Sequence, residues 1–147
     1  MHIAVSRELR DSLTDIALLP TGELVSLSSS AEGMQLDAYD ADLAVSWSRK
    51  LGAHALGLLC VDSGGTLWVV DRAGASAISR HGEIASRVEP PVFSDLEVAA
   101  LAFVEDDLVF AYQHQSDAEP DLPALVRLTR NGTVRWSSRL TSSPSDV

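Results

Sequence analysis

Carboxylate clusters are the groupings in this chain most able to hold a cation, and two of them stand out. Asp37, Asp40 and Asp42 lie together in LDAYDAD. A calcium loop needs several oxygen ligands at a defined spacing and a bidentate acid further on. The spacing here is not that of an EF-hand and no Gly lies inside the cluster. Turn and strand-edge solvation is the better account of these three acids. Glu105, Asp106 and Asp107 read the same way, as an exposed acidic hairpin tip. His2, His54, His81 and His114 are widely separated, with no H-x-x-x-H or H-x-H spacing. They read as surface or strand-end residues, and no metal ligand is expected.

Candidate nucleophiles fare no better. Cys60 sits inside the apolar run LGLLCVD, where a free Cys behaves as a small, inert hydrophobe. Serines are abundant, yet no G-x-S-x-G elbow, Walker loop or G-x-G-x-x-G occurs. The sequence therefore assigns no catalytic and no cofactor-binding residue, and it implies no cofactor. Trp47, Trp68 and Trp136 read as packing residues. Arg127, Arg130, Arg135 and Arg139 form the densest basic stretch. Arg127, Arg135 and Arg139 are expected to project from solvent-facing strand edges, where they could meet an acidic partner or the chain's own acidic loops. The polar segment 113–123, with Asp117, Glu119 and Asp121, reads as a solvated loop that could serve as a binding surface. The shorter SSSAEG (28–33) reads as a turn.

Composition narrows the partners. The chain has 147 residues, 46% of them hydrophobic and 22% charged, which suits one ordinary domain with a core. Eleven Lys and Arg against 21 Asp and Glu give a net charge of −10. Phosphate backbones and anionic membrane surfaces both need cationic contacts, so neither nucleic acid nor membrane is expected as a partner. A single Cys precludes an internal disulfide. The longest apolar run, 98–104, is far short of the roughly 20 residues that span a bilayer. The start, MHIAVSRELRDS, lacks the basic-then-apolar pattern of a secretory signal. Met1 suggests a native start, and a cytoplasmic location is the expectation.

The elements that must carry these residues repeat along the chain. LDAYDADLAVSWSRKL (36–51) aligns without a gap on LVRLTRNGTVRWSSRL (125–140). Leu36, Val45, Trp47, Ser48 and Leu51 fall on Leu125, Val134, Trp136, Ser137 and Leu140. A weaker copy, AISRHGEIASRV (77–88), has Ser86 where Trp stands in the others. Each copy follows a second apolar pattern: DIALLPTGELVSL (15–27), LGLLCVDSGGTLWVV (56–70) and VAALAFVEDDLVFAY (98–112). In these, Thr21-Gly22, Gly64-Gly65 and Asp106-Asp107 supply hairpin turns. Leu24, Leu67 and Leu108 lead the second runs at intervals of about 40 residues, the period of a four-stranded unit. At the start, Ile3, Val5, Ser6 and Leu9 match the spacing of Val45, Trp47, Ser48 and Leu51, which predicts an extra N-terminal strand. A helix over 6–18, with Leu9, Leu13, Ile16 and Ala17 on one face, competes with it.

These units resemble β-propeller blades of the pyrroloquinoline-quinone-type and tryptophan-aspartate-type families. AYDADLAVSWSRKL and RLTRNGTVRWSSRL carry the resemblance, through an apolar strand, a turn, Val-x-Trp and a trailing Leu. It implies an all-β fold, a partial β-propeller of about three four-stranded antiparallel blades. The expected blades are approximately 10–51, 52–92 and 93–141, in a single domain of residues 1–147 with a polar C-terminal tail. The resemblance also implies that Trp47 and Trp136 pack between blades. No quinone or calcium site of those families is matched, so their dehydrogenase activity is not implied.

Three blades are too few for a closed ring, which uses about four to eight. Open ends leave an edge and an uncovered face, both liable to associate. The expected function is thus a non-enzymatic protein–protein interaction module. Its partner would be another protein, or a second copy, engaged through open blade edges. The alternative is part of a larger propeller enzyme or small-ligand domain whose site needs further blades.

Overall fold

The computed structural model describes residues 12–51, 55–93, 96–114 and 124–139. Among them the fold is all-β, a partial propeller of three four-stranded antiparallel sheets that do not close on themselves. Sheet 1 runs β1 (Ser12–Leu18), β2 (Leu24–Ser30), β3 (Gly33–Tyr39) and β4 (Val45–Leu51). Sheet 2 runs β5 (Ala55–Val61), β6 (Leu67–Asp71), β7 (Ala75–Ile78) and β8 (Ile84–Val88). Sheet 3 runs β9 (Leu96–Val104), β10 (Asp107–His114), β11 (Ala124–Leu128) and β12 (Val134–Arg139). In each sheet every strand pairs with its neighbour in sequence. The helical alternative fails over 12–18, which pair with 24–29 as a strand. The expected leading strand at 1–9 lies outside the described residues. No helix long and apolar enough to cross a membrane occurs among the described residues.

Turn chemistry explains the up-and-down order. Five hairpin turns share one construction, beginning at Leu19, Asp40, Asp62, Ser79 and Thr129. In each, the first residue's N–H donates to the carbonyl four residues on, and its own carbonyl accepts from the amide three residues on. That amide belongs to Gly22, Leu43, Gly65, Gly82 or Gly132, all at positive φ. In the four turns that begin with Asp, Ser or Thr, the first side chain locks the turn. Asp40 Oδ1 accepts from the Asp42 and Ala44 amides, and Asp62 Oδ1 from those of Gly64 and Thr66. Ser79 Oγ accepts from His81 and Glu83. This is the local hydrogen bonding for which Asp and Ser are enriched in turns.

Sheet 2 is the middle layer, and the alternation of β6 shows it. Leu67 and Val69 join Val25, Leu27, Leu36 and Ala38 of sheet 1 in one core cluster. Trp68 and Val70 join Leu108, Phe110, Val126 and Leu128 of sheet 3 in another. A strand buried on both faces needs apolar residues at every position, which is why LWVV reads as a continuous run. Leu24, Leu67 and Leu108 lead β2, β6 and β10 as their spacing predicts. Leu67 and Leu108 point at the preceding sheet, and Leu24, with no sheet before it among the described residues, is partly exposed.

Candidate interaction surfaces

Two polar nodes fasten the layers. Asp15 in β1 accepts a hydrogen bond from the Leu59 amide at 2.8 Å, joining sheet 1 to sheet 2. Asp62, whose side chain is 1% exposed, joins sheet 2 to sheet 3. Its Oδ2 accepts from Trp68 Nε1 at 3.0 Å and from Arg130 Nη2 at 2.9 Å. The Arg130 guanidinium also lies 5.7 Å from the Trp68 ring centroid, a cation–π distance. Burial opposes the charged form of Asp62, but the Trp68, Thr66 and Arg130 hydrogen bonds outweigh it and hold the carboxyl below its usual range. Asp71 behaves alike: burial is overcome by a two-pronged contact with Arg87 at 2.7 and 3.0 Å and by the Ala73 amide.

The tryptophans of the repeat occupy one structural position with different surroundings. Trp47 in β4 stands opposite Ala38 and packs on the core shared by sheets 1 and 2. Its ring lies against Gly82, in the β7–β8 turn of the next sheet. Ser86 holds the same position in β8, opposite Ala77. The corresponding glycine of sheet 3, Gly132, has open space where a Cβ would stand. Trp136 in β12 stands opposite Arg127, beside inward-facing Val126 and Leu128. It therefore points away from sheet 2 and is 42% exposed. The expected burial of Trp136 between blades is thus corrected, because the described chain puts no sheet beyond it.

The outer face of sheet 3 also carries an ion cluster. Asp107 accepts from Arg127 Nε at 2.8 Å and pairs with Arg135. Burial opposes the Asp107 charge, yet the two arginines hold its carboxyl below the usual range. The expected exposed tip at 105–107 holds for Glu105 and Asp106, whereas Asp107 is buried. Arg127 and Arg135 are not free edge charges, since both are spent on Asp107. Arg130 goes to Asp62, and the Arg139 side chain lies outside the described set. The signal for this cluster was present in the sequence as an acid and two bases, but 20 and 28 residues separate them along the chain; only strand pairing brings them together.

At the other end, the outer face of sheet 1 exposes Leu13 (49%), Ile16 (48%) and Leu18 (49%) along β1. Ser26, opposite Ile16 on the same face, is buried and its Oγ has no hydrogen-bond partner. Asp37 there accepts from Gln35 Nε2 and Ser48 Oγ, while Asp40 serves its turn. The acid trio thus does not converge, and no group of three metal-ligating side chains occurs among the described residues. His81 is exposed in its turn. His2, His54, the His114 side chain and 115–123 lie outside the described set. Cys60 is half-buried; burial, and then the nearby Asp15 charge, push its thiol up. Trp68 is a core residue, 2% exposed.

A cleft of about 400 Å³ opens between sheets 1 and 2, with Trp47 and Glu23 on one side and Ile78, Arg80 and Ala85 on the other.

No family model matches the chain, and no curated protein matches it. Solved structures do. One is the extracellular domain of the putative one component system BT4673 from B. thetaiotaomicron, with a TM-score of 0.58 and 18% identity over 89% of this chain. Another is Drosophila Plexin A in complex with Semaphorin 1b, with a TM-score of 0.53 and 14% identity over 87%. The chain spans only 16% of the first neighbour and 30% of the second. At these identities the likeness is one of fold, a blade-like β architecture. It corrects the expected cytoplasmic location: a neighbour of similar fold is described as an extracellular domain, so the start of the chain does not place it in the cytoplasm.

Proposed function

We propose that this chain is a non-enzymatic protein-interaction module whose end sheets offer their uncovered faces to another protein chain. One observation carries the reading: Trp136 is exposed on the outer face of sheet 3 although its counterpart Trp47 is packed against a following sheet. Large aromatics at partly exposed, apolar positions are the residues that anchor protein interfaces. Val104, 40% exposed, lies on the same face, opposite Asp107. The Plexin A neighbour was solved in complex with another protein, which lends the reading general support. The sheets are taken here as repeats of the pyrroloquinoline-quinone or tryptophan-aspartate kind, with Trp47 and Trp136 as their inter-blade residues.

Chemical cross-linking of the purified chain with a benzophenone amino acid at position 138, exposed two residues beyond Trp136 on the same strand, tests the proposal. Cross-links from this face to a protein chain are expected, and Trp136→Ala abolishes them. Substrate turnover by the purified chain would defeat the non-enzymatic reading.

A second reading follows from coverage. Because the chain spans 16% and 30% of its neighbours' chains, these sheets would form one arc of a larger ring with a ligand at its centre. Ligand binding that requires additional sheets favours that reading.

A further inference from the structure

We propose that the cleft between sheets 1 and 2 binds a free α-amino acid with an apolar side chain, its carboxylate on Arg80 and its ammonium on Glu23. This site is separate from the end faces and does not depend on the interaction reading above. Its volume, about 400 Å³, lies within the roughly 300–1,000 Å³ of small-ligand sites. Two close approaches of sheet 1 to sheet 2 adjoin it. A Cβ on Gly65 would stand 3.0 Å from Pro20 Cγ, and Trp47 lies against Gly82; Gly65 and Trp47 both line the cleft. Leu67 and Ile78, 3% and 4% exposed, give it an apolar wall.

The junction of sheets 2 and 3 shows what this cleft lacks. There Arg130, second residue of its turn, reaches Asp62, first residue of the β5–β6 turn, and lies over the Trp68 ring. The shared turn construction puts Arg80 in the place of Arg130 and Leu19 in the place of Asp62. Leu24 and Leu67 lead their strands, so Val25 stands where Trp68 does. Arg80 therefore meets neither the acid nor the indole that Arg130 has. Among the described residues it makes no ion pair, either with Glu83 of its own turn or with Glu23 across the cleft.

Two opposite charges thus line one apolar cleft without meeting each other. A ligand with a carboxylate alone sets it against Glu23, and one with an amine alone sets it against Arg80, and like charges brought together are costly. A zwitterion answers both. Its carboxylate takes on Arg80 the place that Asp62 has on Arg130, a charge-assisted contact. Its ammonium meets Glu23, whose carboxylate otherwise accepts, among the described residues, only from the Thr21 hydroxyl at 3.4 Å. The side chain is left to Trp47, Leu67 and Ile78, where its apolar area leaves water. An internal peptide residue carries neither backbone charge and a chain end carries one, which singles out the free amino acid.

The test is calorimetric titration of the purified chain with L-phenylalanine and L-leucine, with amide NMR shifts locating the site. Saturable binding with a Kd of roughly 1 mM or tighter is expected for at least one of them, with shifts at Gly65, Ser79 and Arg80. The N-acetyl derivative of that amino acid, without the ammonium, and its amide, without the carboxylate, each bind about tenfold more weakly. In Glu23→Gln the penalty for N-acetylation disappears and that for amidation stays; in Arg80→Gln the reverse holds. A merely structural role of either residue does not give that crossed pattern, and circular dichroism checks that both variants keep the wild-type β signal. Absence of saturable binding by both amino acids, shifts confined to another part of the chain, or penalties that survive both substitutions overturn the site. None of these outcomes bears on the cross-linking at position 138, so the two readings fail separately.

Discussion

A Cβ placed on Gly82 would stand 2.5 Å from Cε3 of Trp47 and 2.9 Å from Cδ2. The indole of sheet 1 thus rests on the bare backbone of a turn in sheet 2, and no other residue fits at 82. Gly82 also has φ +85°, which L side chains avoid. Gly132 shares the second constraint (φ +87°) without the first. Gly132→Ala is expected to cost about 1 kcal/mol, the backbone term alone. Gly82→Ala adds displacement of Trp47 and costs about 2–4 kcal/mol, in the range of overpacked cores. Urea midpoints of the two variants at equal slope measure the difference.

Ser86 leaves the space above Gly132 unfilled. Ser86→Trp is expected to bury an indole there as Trp47 is buried on Gly82. The gain is about 1–2 kcal/mol, at roughly 25 cal/mol per Å² of apolar area. Gly132→Ala introduced alongside removes more than its own cost, since the new indole then meets a methyl group. A double-mutant cycle on melting curves reads this coupling.

Leu43 is the exception among the shared turns, with φ 62° where the others hold glycine. A left-handed conformation costs a branched apolar residue about 1–2 kcal/mol, part of which glycine returns through its looser unfolded state. Leu43→Gly is expected to raise stability by about 0.5–1 kcal/mol in the isolated monomer. An unchanged or lowered denaturation midpoint would contradict the assignment of strain to this residue.

Asp62 holds a turn, an indole N–H and an arginine from the next sheet. Asp62→Ala strands Arg130 and the buried Trp68 Nε1, and a loss of about 3–5 kcal/mol is expected. Trp68 fluorescence should shift to the red as sheet 3 loosens from sheet 2. A loss below 1 kcal/mol would mean that the node does not join the sheets.

The same carboxylates set the acid limit. Asp62 and Asp71 are held below the ordinary range in the folded chain; unfolded, they titrate near about 3.9. A lowered folded pKa gives stability that is present above the unfolded value and lost as pH falls through the folded one. Melting temperature is therefore expected to hold down to about pH 4 and to drop below it. At the alkaline side, burial pushes the Tyr112 hydroxyl up to about 12; it donates to the Pro91 carbonyl at 2.7 Å. A raised folded pKa contributes stability that is lost as pH rises from about 10. Asp62→Asn and Tyr112→Phe should flatten the acid and alkaline falls respectively.

The spacing of turn residues, the apolar runs and the Val-x-Trp copies determined the strand order of this protein. Those signals are local: Asp, Ser and Gly close a hairpin through bonds within five residues, and a two-sided layer demands unbroken apolar strands such as LWVV. Which tryptophan is packed, and which acid is paired, depends on what stands one layer away. Trp47 and Trp136 sit in near-identical sequence, yet one lies on Gly82 and the other faces outward. Asp107 looked like part of an acidic turn until strand pairing set Arg127 beside it. Those assignments arise from contacts between residues far apart in the chain, and they exist only once the sheets stack.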